Sequence, residues 1–334
     1  MSDDKWTIVT GATGGIGEAI VTILSRRGMP VVMACRNPMK AQNLRQRLLE
    51  EIPGARVETM TFDLASFDSI RNFVDEVRSA GLQVSTLVNN AGVMCKNFTR
   101  TVDGLEMTAG VNVVGTYLLS RLLTPLLVSG KTESMSGELS RSATETNGPS
   151  GSGRAEMQRL EKSSHLVNCV NGTCPETFKA AAGGYQGRIV NTVSCTARIG
   201  RVDTSMFYGN EQSYHRMRVY SRSKRALLMV TDELAERLAP MGISVLAADP
   251  GVVDTAMISM QRWYDPLADL FFRPFIKRPE RGAAPIVAAV CADACITEEL
   301  FRGHKHVPIG QAYRQSEARR ALVGEIERLT GLDE

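Results

Sequence analysis

The sequence lacks a strong charge excess, a long apolar run and any cluster of cysteine and histidine residues. Its 39 basic and 36 acidic side chains leave a net charge of +3, so nucleic acid is not an expected partner. It contains no run of about 18 apolar residues, the length at which a membrane-spanning helix is suspected. Its first residues lack the basic and then apolar pattern of a secretory signal. These absences predict a cytoplasmic protein, and no metal site is expected.

Cysteine usage also argues against a secreted disulfide scaffold. The seven cysteines are odd in number and scattered along the chain, which favours reduced thiols in a cytosolic protein. Cys169 and Cys174 flank Asn171-Gly172, a dipeptide typical of a two-residue hairpin turn. Such a turn would bring the two thiols together, so a disulfide there stays open, although free thiols are favoured.

A short β-rich run, Trp6–Thr10, leads into a glycine-rich turn and then into an apolar helical pattern that ends near Gly28. This order of strand, turn and helix is what a phosphate-binding turn requires. Glycines let the backbone approach a pyrophosphate closely, and the helix N-terminus offers free N–H groups with a partial positive charge. The pattern favours dinucleotide binding over a tight turn without a ligand. The candidate residues are Gly11, Thr13, Gly14, Gly15, Ile16 and Gly17.

The next apolar run, Val31–Cys35, predicts the second parallel strand, and Arg36-Asn37 follows it. In a NAD site an acidic residue near this strand end typically binds the ribose 2′-hydroxyl. None is present here, and Arg36 could instead pair with a 2′-phosphate. NADP(H) is therefore the favoured cofactor. NAD(H), with Arg36 as an ordinary surface residue, is the alternative.

Strand and helix patterns then alternate, which implies an α/β fold with a doubly wound parallel sheet. Helices are expected over 38–51, 66–80, 104–127, 220–238, 281–295 and 316–330, and strands over 56–62, 84–88, 188–193 and 242–247, with a short strand near 306–309. Residues 129–187 interrupt the alternation. They are rich in glycine, serine, threonine and charge, and cannot bury much apolar surface. We expect this irregular insertion to be partly disordered.

Tyr220 and Lys224 lie four residues apart on a predicted helix, so their side chains share one face. A nearby ammonium favours the phenolate, and a phenol tuned in this way can exchange a proton with a substrate oxygen near neutral pH. Alone the pair is a weak signal, because the same spacing occurs often on exposed helices. Tyr208 and Tyr214 have no lysine four residues on, so Tyr220 is the candidate.

The ordered motifs of the chain resemble the short-chain dehydrogenases/reductases. Each motif is modest, but their combination is highly specific and covers nearly the whole chain apart from the insertion. Within the family, the residues around Arg36 and Tyr220 are most similar to retinol dehydrogenases and protochlorophyllide reductases. The resemblance implies one Rossmann-type domain over residues 1–334, with about seven parallel strands and helices on both faces. The matching stretches are Thr10-Gly11-x-x-x-Gly15-x-Gly17, Asn89-Asn90-Ala91-Gly92, Asn112, Ser194, Tyr220-x-x-x-Lys224 and Pro250-Gly251.

The resemblance also implies a role for each matched residue. Ser194 would hydrogen-bond the substrate oxygen, and Tyr220 would donate or accept its proton. Lys224 would bind the nicotinamide ribose and lower the pKa of Tyr220, and Asn112 would support a water chain from Lys224 to solvent. Further cofactor contacts are implied at Arg36, Asn37, Asp63, Leu64, Asn90, Ala91, Gly92, Pro250, Gly251, Val253 and Thr255.

Residues 254–280 contain a segment, 257–276, that is dense in large apolar side chains. The resemblance assigns a substrate lid here, which would suit a lipophilic alcohol or carbonyl compound such as a steroid, a retinoid or a long-chain ketone or aldehyde. Simple core packing and peripheral contact with a membrane surface are the alternatives.

We therefore expect an NADP(H)-dependent oxidoreductase that interconverts a carbonyl and an alcohol. Reduction of a carbon–carbon double bond, which could use the same tyrosine, stays open. So does a redox-sensing module that binds NADP(H) without catalysis, although a pure binder needs no proton relay. A homodimer is expected by resemblance, but the insertion follows the helix with Asn112, which the family often uses for dimer contacts.

Overall fold

Eight strands in the described part of the chain form one sheet. The computed structural model describes residues 5–128, 185–251, 278–293, 296–303, 305–314 and 316–332. Across the sheet the order is β3-β2-β1-β4-β5-β6-β7-β8, and every neighbouring pair is parallel except β7 with β8. The strands are β1 (Trp6–Thr10), β2 (Val31–Cys35), β3 (Val57–Thr61), β4 (Val84–Asn89), β5 (Gly187–Thr192), β6 (Ile243–Asp249), β7 (Glu299–Arg302) and β8 (Lys305–Pro308).

The expected doubly wound α/β fold is confirmed, with one difference at the sheet edge. β7 was not expected, because a run of four residues carries little periodic signal. The expected short strand near 306–309 is β8, and it is antiparallel. Only a tight connection through Gly303, which has φ of +61°, separates β8 from β7, and a parallel pair needs a far longer crossover.

The helices pack on both faces of the sheet, as expected. They are α1 (Gly15–Arg26), α2 (Pro38–Glu51), α3 (Phe67–Ser79), α4 (Met107–Ala109), α5 (Thr116–Val128), α6 (Arg216–Leu238), α7 (Pro279–Val290) and α8 (Ser316–Thr330). One apolar cluster lies under α3, α5, α6 and α8, and a second under α1, α2 and α7. In β1, Ile8 belongs to the first cluster and Val9 to the second. A strand buried on both faces is apolar at successive positions, which is why β1 carries no alternating pattern.

The helix expected over 104–127 is not continuous. α4 passes into a π-helical segment, Gly110–Gly115, before α5 begins. A Cβ on Gly110 would lie 2.5 Å from Thr101 Cγ2, and one on Gly115 would lie 2.5 Å from the Leu64 carbonyl oxygen. The wide turn therefore packs against neighbours that leave no room for a side chain. Such π segments occur often at functional sites, and Asn112 lies within this one.

α8 was expected to be a polar-faced helix, but part of its charge is buried. Leu322, Val323 and Ile326 fill the core, and Arg319 lies beside them at 7% exposure. Its guanidinium pairs with Asp232 and with Glu233 (2.8 Å), both on α6. Buried ion pairs thus join α8 to α6, the helix that carries Tyr220.

Two regions singled out in the sequence lie mostly outside the described residues. The predicted insertion, 129–187, is described only from residue 185 onward, and the predicted lid, 254–280, only from residue 278 onward. Cys169 and Cys174 fall in the first gap, and both regions stay predictions. Among the helices that the structure describes, none has the length and apolar character to cross a membrane.

Candidate active site

The turn after β1 lies at the carboxyl edge of the sheet, where the strand order reverses between β1 and β4. Ligands of doubly wound sheets bind in the crevice at this switch point. Gly11 has φ of +64°, and a Cβ on it would lie 2.9 Å from Ala91 Cα. A Cβ on Gly17 would lie 2.2 Å from the Gly11 carbonyl oxygen. Both positions therefore require glycine, because the turn packs directly on the end of β4 and on itself.

The N-terminus of α1 is available to an anion. α1 begins at Gly15, its N-cap residue Gly14 makes no side-chain hydrogen bond, and both glycines are exposed. The first amides of the helix are thus left without a side-chain partner, which is the arrangement that binds phosphate groups. The Thr13 side chain lies near the buried Cys35 thiol.

Thr10 and Asn90 join the turn to β4. The Thr10 hydroxyl accepts hydrogen bonds from the amides of Asn90 and Ala91, both at 3.0 Å. The Asn90 side chain donates to the Thr10 carbonyl oxygen at 2.9 Å. The Asn90 amide is therefore occupied inside the protein, and it shapes the crevice by holding the turn. Thr10 was not among the predicted site residues, although it precedes the glycine turn directly.

Arg36 is the cation among the residues predicted for the adenosine end. Arg36 follows β2, is exposed, and makes no hydrogen bond or ion pair with the described part of the chain. Asn37 instead caps α2, with its Oδ1 atom accepting from the Lys40 amide at 3.0 Å. Asp63 and Leu64 follow β3, where Asp63 Oδ1 accepts from the Ala65 amide at 2.9 Å. Arg36 is thus the residue with a charge to offer an anion here.

Asn112 connects the strand end after β4 to α6. Its side-chain oxygen accepts from the Val93 amide at 2.8 Å, and its Nδ2 atom donates to the Val93 carbonyl oxygen at 2.9 Å. The same Nδ2 donates to Ser223 Oγ at 3.0 Å, and the Ser223 hydroxyl donates to the Tyr220 carbonyl oxygen at 2.8 Å. Asn112 therefore fixes the first turns of α6 relative to β4. Ser223 was not predicted, and only its place between Tyr220 and Lys224 signalled it.

Ser194, Tyr220 and Lys224 converge at the carboxyl end of β5. Ser194 follows β5, and its hydroxyl lies close enough to the Tyr220 phenol to favour the phenolate. Its oxygen also accepts from the Thr196 hydroxyl at 3.1 Å. Lys224 is 3% exposed, and its ammonium donates to the Thr192 carbonyl oxygen at 2.7 Å. The ammonium nitrogen lies 5.8 Å from the centre of the Tyr220 ring.

The expected lowering of the Tyr220 pKa is not found. Burial raises the pKa of Tyr220 to about 12, and the neighbouring Ser194 side chain opposes this only in part. Burial also lowers the pKa of Lys224 to about 8, with the Asp249 carboxylate acting in the opposite direction. Both shifts have the same origin, because a low-dielectric site disfavours the charged form of either group. At neutral pH the phenol is therefore protonated and ready to donate.

A dinucleotide fits the residues that surround these groups. An ammonium has three donors, and Lys224 makes one hydrogen bond within the described part of the chain. Two buried donors therefore remain for a ribose. A Cβ on Gly92 would lie 3.4 Å from the same nitrogen, so the backbone lies against the site. Pro250 is buried after β6, followed by Gly251 at φ of +76°, whereas Val253 and Thr255 fall outside the described residues.

Comparisons with known proteins bear on the family and the fold of this chain. The family model described as short chain dehydrogenase matches residues 5–138 and 165–264. Mouse polyprenol dehydrogenase is 32% identical over 330 residues, which is 97% of this chain and 83% of the relative. Human retinol dehydrogenase 13 is 29% identical over 337 residues, covering 98% and 85%. The chicken WW domain-containing oxidoreductase is 29% identical over 89% of this chain, which spans 60% of that protein.

Solved structures give the same fold. A short chain dehydrogenase from Burkholderia cenocepacia in complex with NADP has a TM-score of 0.55 and 25% identity, over 87% of this chain and 91% of its own. A protein from Mycobacterium paratuberculosis has a TM-score of 0.65 at 22% identity, over 98% and 94%. The family model covers well over half of the chain. Together with the retinol dehydrogenase relatives, it identifies the chain as an oxidoreductase of the short-chain dehydrogenase family, in the branch similar to retinol dehydrogenases.

Proposed function

We propose that the protein is an NADP(H)-dependent oxidoreductase that interconverts a carbonyl and an alcohol on a lipophilic substrate, with Tyr220 as the general acid and base. The observation that carries this proposal is the closeness of the Ser194 and Tyr220 side chains, beside a buried lysine whose ammonium nitrogen lies 5.8 Å from the centre of the Tyr220 ring. Two neighbouring hydroxyls can both reach a single substrate oxygen, which is the geometry that proton transfer requires.

The residues of the chain divide the work with the cofactor. The nicotinamide, when bound, supplies or accepts the hydride. The amides at the start of α1 would hold its phosphates, and the two remaining donors of Lys224 would hold its ribose. Tyr220 donates a proton to the carbonyl oxygen during reduction, while Ser194 orients that oxygen. Because burial keeps the pKa of Tyr220 near 12, the phenol carries at neutral pH the proton that reduction consumes.

Replacement of Tyr220 tests the chemistry directly. The variant Tyr220→Phe keeps the ring and removes the hydroxyl, so it should bind NADPH with unchanged affinity and lose at least about a hundredfold in kcat, the contribution expected of a general acid. NADPH binding is measured by fluorescence and turnover by NADPH absorbance. Full turnover in this variant would remove Tyr220 from the mechanism. Loss of NADPH binding as well would mean that the residue is needed for the crevice itself.

Arg36 supports NADP(H) over NAD(H). An exposed guanidinium at the end of β2, without an acidic residue beside it, suits a 2′-phosphate. Arg36→Gln should weaken NADPH binding at least about tenfold, which corresponds to the loss of one charged contact, and leave NADH binding unchanged. Arg26→Gln is the control, because Arg26 is an exposed arginine in the last turn of α1, at the far end of that helix from the glycine turn. Equal loss for both cofactors would show that Arg36 does not discriminate between them.

The substrate class rests on the relatives and on the sequence. The names polyprenol dehydrogenase and retinol dehydrogenase 13 denote enzymes of long apolar alcohols, and residues 257–276 are rich in apolar side chains. A panel of retinoids, polyprenols, steroids and aliphatic ketones, each with NADPH and NADH, tests this proposal. Turnover confined to small polar carbonyl compounds would contradict it. A homodimer, a lid over 254–280 and a cytoplasmic location stay predictions from the sequence.

A further inference from the structure

Asp249 is a buried carboxylate at the active site that the proposed mechanism does not use. It is the last residue of β6 and is 2% exposed. One carboxylate oxygen accepts from the Gly251 amide at 2.9 Å. The other accepts from Arg302 Nε at 3.2 Å, and Arg302 lies directly opposite Asp249 in the register of β6 and β7. A buried carboxylate needs such partners, because an unpaired charge is costly away from water.

Asp249 lies on the strand next to the one that anchors Lys224. Lys224 donates to the Thr192 carbonyl oxygen, and Thr192 is the register partner of Ala248, the residue before Asp249. The ammonium is therefore anchored one residue along the sheet edge from the carboxylate. Among the ionisable groups of the described chain, Asp249 raises the pKa of Lys224. Together with Cys195 it also raises the pKa of Tyr220.

We propose that Asp249 and Arg302 form a positioning pair for Lys224: the carboxylate holds the ammonium in its charged form, and the guanidinium limits how strongly it does so. Arg302 also ties the turn at Pro250-Gly251 to β7 through the shared carboxylate. The pair deepens the proposed function, on which its catalytic meaning rests, but its effect on Lys224 exists without cofactor or substrate.

Charge removal from either partner should move the titration of Lys224, in opposite directions. Asp249→Asn keeps an oxygen for the Gly251 amide and removes the negative charge, so Lys224 should lose its proton at lower pH. Arg302→Gln removes the opposing positive charge and leaves the carboxylate to act more strongly, so Lys224 should lose its proton at higher pH. Lys305→Gln is the matched control. Lys305 is exposed and is the register partner of Arg302 in the β7–β8 pair, and in the described part of the chain no hydrogen bond or ion pair joins it to Asp249.

The titration can be followed without turnover, by NMR of protein labelled with carbon-13 at the lysine ε position. The Lys224 resonance is assigned by its loss in Lys224→Arg. Wild type should titrate near pH 8, with shifts of about half a pH unit or more in the two variants and none in Lys305→Gln. The alkaline limb of kcat/KM for ketone reduction should move in the same directions.

The opposite signs separate this role from simple structural support, which would lower activity in both variants without moving either midpoint. Unchanged midpoints in folded Asp249→Asn and Arg302→Gln would overturn the proposal. If Asp249→Asn does not fold, a downward or absent shift in Arg302→Gln overturns it alone. Shifted midpoints in an enzyme that reduces no carbonyl compound would leave the pair intact and refute the proposed function instead.

Discussion

Alanine at Gly17 and at Gly14 should separate the packing role of the glycine turn from its role in binding phosphate. A Cβ on Gly17 would lie 2.2 Å from the Gly11 carbonyl oxygen and 2.9 Å from both Ala12 Cα and Asn90 Nδ2. An ordinary carbon–oxygen contact is about 3.3 Å, so the overlap is about 1 Å. Two of these three atoms are backbone, and no side-chain rotation relieves the contact with them. Overpacking of this kind costs about 2–3 kcal/mol.

Gly14 is the matched comparison, because it lies in the same glycine turn but has room for a side chain. A Cβ there would meet only the Gly11 carbonyl oxygen, at an ordinary 3.5 Å, and its φ of −86° suits alanine. We therefore expect Gly14→Ala to change the free energy of unfolding by less than about 1 kcal/mol. The added methyl group would lie at the exposed start of α1, where a phosphate would approach, so NADPH affinity should fall at least about tenfold.

Two measurements on each variant distinguish these effects. Thermal unfolding should show Tm lower by about 3–4 °C for Gly17→Ala, from the energy above and an unfolding entropy of about 0.7 kcal/mol/K for 334 residues, and nearly unchanged for Gly14→Ala. NADPH fluorescence should show weaker binding in both. A Gly17→Ala protein as stable as wild type would refute the close approach of Gly17 to Gly11. Unchanged NADPH affinity in Gly14→Ala would refute a phosphate site at α1.

Two further predictions concern buried charge. Arg319→Met should lower the free energy of unfolding by about 3–5 kcal/mol, because it leaves the buried Asp232 without one of its guanidinium partners. Arg328→Met, on the exposed side of α8, is the control and should change this free energy little. Urea unfolding of both proteins measures the difference. The kcat/KM for reduction should fall about tenfold per pH unit above pH 8, since Lys224 with a lowered pKa loses its charge there; a flat profile to pH 10 would contradict this.

Much of the fold was predictable because its signals are local. α2 begins at Pro38 after the capping side chain of Asn37, and the sequence places this boundary correctly because proline favours the first helical position. α8 runs over 316–330 as expected, from apolar residues at helical spacing. The ordered motifs predicted the family, which the comparisons confirm. The sequence did not predict the break at Gly110–Gly115, where both glycines pack against Thr101 and Leu64 from other parts of the chain.

The site residues that were not predicted from the sequence also depend on contacts between distant parts of the chain. Asp249 was visible in the sequence as a lone acid at the end of an apolar strand, but its partner Arg302 lies 53 positions away. Thr10 and Ser223 act through hydrogen bonds to Asn90 and Asn112 that join separate elements. Short motifs identify residues that contact a ligand. The residues that hold those side chains in place are scattered along the sequence, so no fixed spacing identifies them.

The spacing of Tyr220 and Lys224 by itself does not produce a reactive phenolate. One turn of helix brings the two side chains to the same face, but burial then pushes their pKa values in opposite directions, to about 12 and about 8. Each shift favours the neutral form. The charge of Asp249, at the end of β6, counters the shift of Lys224 and adds to that of Tyr220. The chemistry of the site therefore depends on the ends of β5, β6 and β7 as much as on the helix, and a variant at the sheet edge can alter proton transfer without touching the tyrosine.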